Sequence, residues 1–430
     1  MQLHVVQPGD TIESIARTYG IPEELLIRDN DIMNTPALVV GQCLVVAIPL
    51  ETYVVQTNDT LEAIAQAHNI TLMQLFRNNP MLSEREYIYP GEILVIRYDN
   101  TKGNMTIHGN VFPFIDKTVL RKTLPYLTYL SVINYTATSE GEIISYYDDT
   151  VLVQEITAYG VMPLMLLNTI TLRGEANIGI AYDLLLNEEL QKKQINNILT
   201  ILREKGYYGV NITFQYINIS TLRVYEAYLS NMFRALDQAG FYVFVTISPE
   251  IKYLNNQRVI EQVNYSIINQ LAHNTIFMSY EWATNVNPPS PIISIQNISY
   301  FIDYINTIIP PDKVIIGIPT VGYDWQLPFV AGASEVLLLT LNNAIDLARD
   351  VNAVIQFDDS SQTPFYSYFD TRALNQLQHI VWFIDARTIN ALLNLARENS
   401  LLGSGIWNIM NYNPQLWVLI NSQYEIIKII

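Results

Sequence analysis

The sequence predicts an α/β protein: a (β/α)8 barrel with a small α+β insertion, preceded by two βααβ modules. Three observations carry this. An N-terminal segment repeats itself once, strands and helices alternate over the remaining three quarters, and one strand–helix interval near the C-terminus is too long for a single helix.

The repeat comes first. "VVQPGDTIESIARTYGI" at 5–21 recurs as "VVQTNDTLEAIAQAHNI" at 54–70. Each copy reads as strand, Asp-Thr turn, helix, polar loop, second helix, then Gly and a closing strand. Asp10 or Thr11 is placed to cap a helix whose apolar positions Ile12, Ile15, Ala16 and Tyr19 share one face. The modules are set at 1–49 and 50–98, and "DNTKGN" at 99–104 reads as a short polar linker.

Strand-like runs follow over 105–430: "MTIHGNV", "YLTYLSVINY", "VMPLMLLN", "GVNITFQY", "FYVFVTIS", "IFMSYEW", "VIIGIPTVGYDW" and "GSGIWNIM". Helix-like runs between them, such as "NEELQKKQINNILTILREKG", keep apolar residues three and four apart and end at Gly. About 327–385 carries strand-like "AVIQF", "PFYSYF" and "HIVWFI", and is set as an insertion walling one side of a cleft.

Composition narrows the partners. The 430 residues are 50% hydrophobic and only 15% charged, with 28 Tyr. The net charge is −17, from 24 basic and 41 acidic residues, with no Lys/Arg cluster. That excludes a nucleic-acid footprint and disfavours an anionic membrane surface, leaving neutral glycans as natural partners. The single cysteine, Cys43, forbids an intramolecular disulfide and sits in apolar "CLVVAI", which reads as core filling. Five scattered His form no metal-ligand pattern, so neither metal nor cofactor is expected. The opening "MQLHVVQPGD" has no basic or apolar signal region, and no run of about 18 apolar residues exists to span a membrane.

The two N-terminal units resemble the LysM module, a binder of wall glycans, through "VVQPGDTIESIA", Asn30 and "VVGQCLVV", then "VVQTNDTLEAIA", "NNP" and "YPGEILVI". The resemblance implies an N-acetylglucosamine groove at Gly9, Asp10, Thr11, Val39 and Gly41, and at Asn58, Asp59, Thr60, Tyr89 and Gly91. Asn58 departs from the module's usual Gly. Asp10 and Asp59 have a plainer reading as helix caps.

Barrel chemistry sits at the C-terminal strand ends. The polar and aromatic residues there are Thr213, Gln215, Tyr216, Glu250, Tyr280, Glu281, Trp282, Tyr323, Asp324, Trp325 and Trp407, a set suited to stacking and hydrogen-bonding sugars. "MSYEW" at 278–282, "GIPTVGYDWQLPF" at 317–329, "VWFIDARTI" at 381–389 and Trp407 resemble glycoside hydrolase family 18, and with the LysM units the spore cortex-lytic N-acetylglucosaminidases. That family's fourth-strand signature is Asp-Gly-x-x-x-Asp-x-Glu. Here the stretch runs Tyr208, Gly209, Val210, Asn211, Ile212, Thr213, Phe214, Gln215, without an acidic side chain.

The resemblance implies a Glu acid that protonates the leaving oxygen while the substrate's acetamido group attacks. Gln215 keeps the shape of that Glu but cannot donate the proton, a loss worth about 10²–10⁴ in rate. The expectation is therefore a catalytically inactive, glycan-binding protein of the spore envelope, made in the mother cell without export and able to serve in a coat layer. A second reading is an active N-acetylglucosaminidase whose acid has moved to Glu281, Glu250 or Asp324. A third is a self-assembling surface protein, suggested by the low-charge, Tyr- and Asn-rich composition.

Overall fold

The computed structural model describes residues 1–32, 37–85, 87–138, 140–168, 186–214, 219–249, 251–254, 257–260, 262–278, 286–370 and 377–430. In the first module β1 (Gln2–Val5) pairs antiparallel with β2 (Cys43–Val46) around helices Ile12–Tyr19 and Glu23–Asp29. In the second, β3 (Glu51–Val54) pairs antiparallel with β4 (Ile93–Arg97) around helices Leu61–Ala67 and Leu72–Asn78. The helix caps are Thr11 and Thr60, whose hydroxyls accept the Ser14 and Ala63 N–H groups.

A buried Asn staples each module. Asn30 accepts from the Val45 N–H at 2.7 Å and donates to Leu26 and Val45 carbonyls. Asn79 repeats this with Val95 and Leu75. Main-chain groups at each helix–strand junction are thereby satisfied without water.

Eight strands form the barrel: β5 (Asn104–Val111), β6 (Tyr129–Ala137), β8 (Met162–Asn168), β9 (Gly209–Phe214), β10 (Tyr242–Ile247), β13 (Asn274–Phe277), β14 (Val314–Pro319) and β20 (Gly403–Trp407). Each lies parallel to its neighbours, and the β5–β6 and β20–β5 pairings close the ring. β7 (Ile143–Ser145) and β21 (Glu425–Ile426) extend the sheet at β6 and β5. β11 (Ile251–Leu254) and β12 (Gln257–Ile260) form a separate hairpin after β10. Both faces of the barrel strands are covered, so β14 is buried at all six positions and reads as an unbroken apolar run.

The outer helices follow ordinary end rules. Helix Glu188–Lys205 starts at Asn187, whose side chain accepts two N–H groups, carries Glu188 and Glu189 at its N-terminus and Arg203 and Lys205 at its C-terminus, and stops at Gly206 with φ 80°. It buries Ile195, Ile198 and Leu202, each such burial contributing roughly 1.5–3 kcal/mol.

The insertion is a five-stranded antiparallel sheet, ordered β16 (Val336–Thr340), β15 (Val321–Leu327), β19 (Leu377–Trp382), β18 (Thr363–Asp370), β17 (Gln356–Asp358). It begins at Val321, because the run "VIIGIPTVGYDW" breaks at Thr320 into a barrel strand and an insertion strand.

The segment 99–104 is held down rather than loose. Asn100 donates to Glu425 at 3.0 Å and Lys102 to Asn394 at 2.6 Å. The modules also dock on the barrel directly: Gln415 donates to Asn30 and to the Cys43 carbonyl, Tyr126 to the Arg77 carbonyl, and Asn421 to Asn78. Cys43 is buried in that contact, and burial pushes its thiol pKa up, away from the reactive thiolate.

Candidate active site at the strand ends

Strand alternation puts Asn211 and Thr213 of β9 on one face. Asn211 is fully buried and donates to Ser131 Oγ at 3.0 Å while accepting from Thr246 Oγ1 at 2.8 Å. Ser131 in turn meets His108 Nε2 at 2.8 Å. A neutral polar layer thus crosses the barrel on β5, β6, β9 and β10. Burial depresses the His108 pKa to about 3, so the imidazole stays uncharged.

Thr213 lies one step nearer the mouth, half-buried, and its Oγ1 has no hydrogen-bond partner among the described residues. Tyr208, by contrast, precedes β9 at the base. It lies five positions before Thr213, about 17 Å along the chain, so it stands at the far end from the mouth. Gln215, Tyr216, Glu250, Tyr280, Glu281 and Trp282 lie outside the described residues.

The insertion strand β15 separates its residues by face. Tyr323 and Trp325 pack into the barrel's apolar core, with ring centroids 5.6 Å apart. Asp324 points the other way, 2% exposed, accepting from Tyr368 Oη at 2.7 Å with His379 Nδ1 at 3.0 Å. Its neighbours Val381 and Tyr366 belong to the insertion's own core. Asp324 therefore structures the insertion and does not join the strand-end cleft, contrary to the expectation. Trp407 ends β20 half-buried, its carbonyl accepting from the Thr320 N–H and hydroxyl.

Asp149 is a buried carboxylate the sequence reading missed. It accepts from Tyr135 and Tyr207 hydroxyls at 2.6 Å each and from Asn134 at 3.0 Å, with Lys205 at 3.1 Å. Burial alone would raise its pKa, but these donors and the ammonium together hold it below the usual value. It is a packing anchor with its charge satisfied.

In the LysM modules, Asp10 and Asp59 close the strand–helix turns instead of capping helices. Each accepts the N–H of the residue three before it, Gln7 or Gln56, at 2.7 Å, and a second donor or partner, His4 for Asp10 and Tyr53 for Asp59. Gly9 has φ 92° and Asn58 has φ 72° at the matching turn, so Asn58 reproduces the left-handed geometry that the departure from Gly put in question. Val39 and Gly41 lie against the insertion, whereas Tyr89 and Gly91 face open space.

No helix among the described residues is long and apolar enough to cross a membrane, and no group of metal-ligating side chains is found among them.

A family model described as glycosyl hydrolases family 18 matches residues 171–411, and the LysM domain matches 4–47 and 53–97. The chain is 32% identical over 433 residues to a cortical fragment-lytic enzyme of Bacillus subtilis (strain 168), covering 100% of this chain and 99% of that protein. This chain belongs to glycosyl hydrolase family 18.

Solved relatives agree along the whole length. The Bacillus cereus spore cortex-lytic enzyme SleL superposes with a TM-score of 0.79 at 28% identity, covering 99% of each chain. The Bacillus megaterium QM B1551 enzyme SleL gives 0.80 at 27%, covering 100% and 99%. A LysM-plus-family-18 chain of this kind binds peptidoglycan or N-acetylglucosamine-containing glycans.

These relatives correct the expectation of an inactive protein. Family 18 chains matching end to end are named as lytic enzymes, and that standing overturns the pseudo-enzyme and coat-component readings. The physical reason lies in how much was drawn from one strand. The expectation weighed the sequence of one strand, whereas seven other strand ends contribute to the barrel mouth.

Proposed function

We propose that this chain is a glycosidase that cleaves N-acetylglucosamine-containing spore-cortex peptidoglycan, held on the polymer by LysM and working at the spore envelope. The observation that carries it is full-length similarity, through both LysM modules and the barrel, to cortex-lytic enzymes. Substrate-assisted hydrolysis needs no protein nucleophile, so the chain must supply one positioned acid and a cleft.

Gln215 presents a neutral amide suited to hydrogen-bonding the substrate, and the proton comes from a carboxylate elsewhere at the mouth. Asp324 is unsuited, being turned into the insertion and hydrogen-bonded there. Glu250 and Glu281 follow β10 and β13, the two strands next in order after β9. Glu281 is flanked in sequence by Tyr280 and Trp282, aromatic residues of the kind that stack on sugar rings. We assign the acid role to Glu281.

The test is release of reducing N-acetylamino-sugar ends from purified cortex peptidoglycan. Sustained turnover supports the reading, and its absence from folded protein contradicts it.

A further inference from the structure

The LysM modules are alike internally but differ at the loop between second helix and closing strand. Shared hydrogen bonds fix the equivalence. Gly41 N–H meets the Val6 carbonyl as Gly91 N–H meets that of Val55, and Val39 N–H meets the Gln42 side chain as Tyr89 N–H meets that of Glu92. Ala37, Val39 and Gly41 therefore correspond to Tyr87, Tyr89 and Gly91.

In the first module the insertion closes this loop. Val39 is 5% exposed inside an apolar cluster with Ala344, Ala348 and Ile355. The Ile355 N–H donates to the Val40 carbonyl at 2.9 Å, Arg349 Nε to Ala37 at 2.9 Å, and Arg387 Nη2 to Gly41 at 3.2 Å. A Cβ on Gly41 would fall 1.9 Å from the Ile355 carbonyl oxygen, and no sugar ring fits into such a contact.

In the second module the same loop is open. A Cβ on Gly91 would meet nothing within 4 Å. Tyr87 and Tyr89 are 58% and 53% exposed, with rings 5.2 Å apart at 77°. Arg85 lies 5.5 Å from the Tyr89 ring centroid and pairs with Glu92 at 2.7 Å, which holds the aromatic pair in place. Exposed, ordered tyrosines offer contact area at small entropic cost and suit the C–H faces of pyranose rings.

We infer that the modules have divided their work: the first is a brace fastening the inserted sheet to the chain, and the second captures glycan, with Tyr87 and Tyr89 stacking on N-acetylhexosamine rings. This rests on the proposed function only in the identity of the polymer. The brace explains why Ala and Val stand where the second module carries two tyrosines.

The test uses the full chain, co-sedimentation with insoluble chitin and purified cortex peptidoglycan, and thermal melting. Tyr87→Ala/Tyr89→Ala lowers affinity at least about tenfold and melts like wild type. Arg349→Ala binds like wild type and melts lower, and Gly41→Ala melts lower still, its φ of 86° adding strain to the clash. Wild-type affinity in the double Tyr variant, or wild-type melting in both brace variants, overturns the inference. Binding is read without turnover, so a folded, binding, inactive protein defeats the proposed function alone. Wild-type protein that sediments with neither polymer overturns both.

Discussion

Asn211 Oδ1 accepts a 2.8 Å hydrogen bond from Thr246 Oγ1 across the β9–β10 boundary, and the same amide donates to Ser131 on β6. One side chain thus ties three barrel strands beneath the barrel mouth. In a closed barrel, where strand tilt and stagger are linked, such a tie fixes where the strand ends sit.

Asn211→Leu removes both bonds and strands the buried Thr246 hydroxyl, while Ser131 keeps His108. An orphaned buried group costs about 1–3 kcal/mol, so denaturant unfolding should show a loss of at least about 1 kcal/mol. A change below about 0.5 kcal/mol would mean the layer is dispensable.

His108 makes acid stability readable. Its folded pKa of about 3 lies below the ordinary 6.5, so the unfolded chain takes up a proton that the native state refuses. Stability is whole above 6.5 and falls as pH drops from there toward 3, by up to about 1.4 kcal/mol per pH unit. His108→Gln should flatten this limb in unfolding curves taken between pH 7 and 4.

Asp149 loses its contribution later. Its pKa is held below 3.8, so its stabilisation is present above that value and disappears as pH falls through the folded pKa. Asp149→Asn should cost about 1–3 kcal/mol at pH 7, since two buried tyrosine hydroxyls lose their charged acceptor, while Lys205 keeps Asp148. Unlike His108→Gln, it should leave the limb between pH 6.5 and 4 unchanged.

Asp324→Asn should lower turnover less than about tenfold, because the carboxylate meets Tyr368 and His379 on the insertion side of β15. A loss of 10² or more, the scale of a removed general acid, would return Asp324 to the chemistry. Initial rates on cortex fragments decide between them.

Sequence pattern exposed the architecture because its signals are periodic. The eight barrel runs, the internal repeat and the Gly-terminated helices each follow from burial and end chemistry local to their own segment. What escaped was tertiary. Nothing in "LVVGQC" shows that its loop would be covered by residues more than three hundred positions later, nor does Asp149 look different from exposed Asp148 beside it. The side of Asp324 depended on where one strand breaks at Thr320, since a shift of one residue reverses every side chain. A second tyrosine two residues before Tyr89 is the one readable hint of a paired aromatic surface in that loop.

The proposed hydrolysis of glycan by this family 18 chain depends on an acid other than residue 215. Steady-state cleavage of cortex peptidoglycan by wild type and by Glu281→Gln, both checked for folding and polymer binding, tests it most directly. Measurable turnover is expected in the wild type, with a fall of about 10²–10⁴ in the variant and binding retained. Equal rates in the two proteins, or no turnover in the wild type, would contradict it.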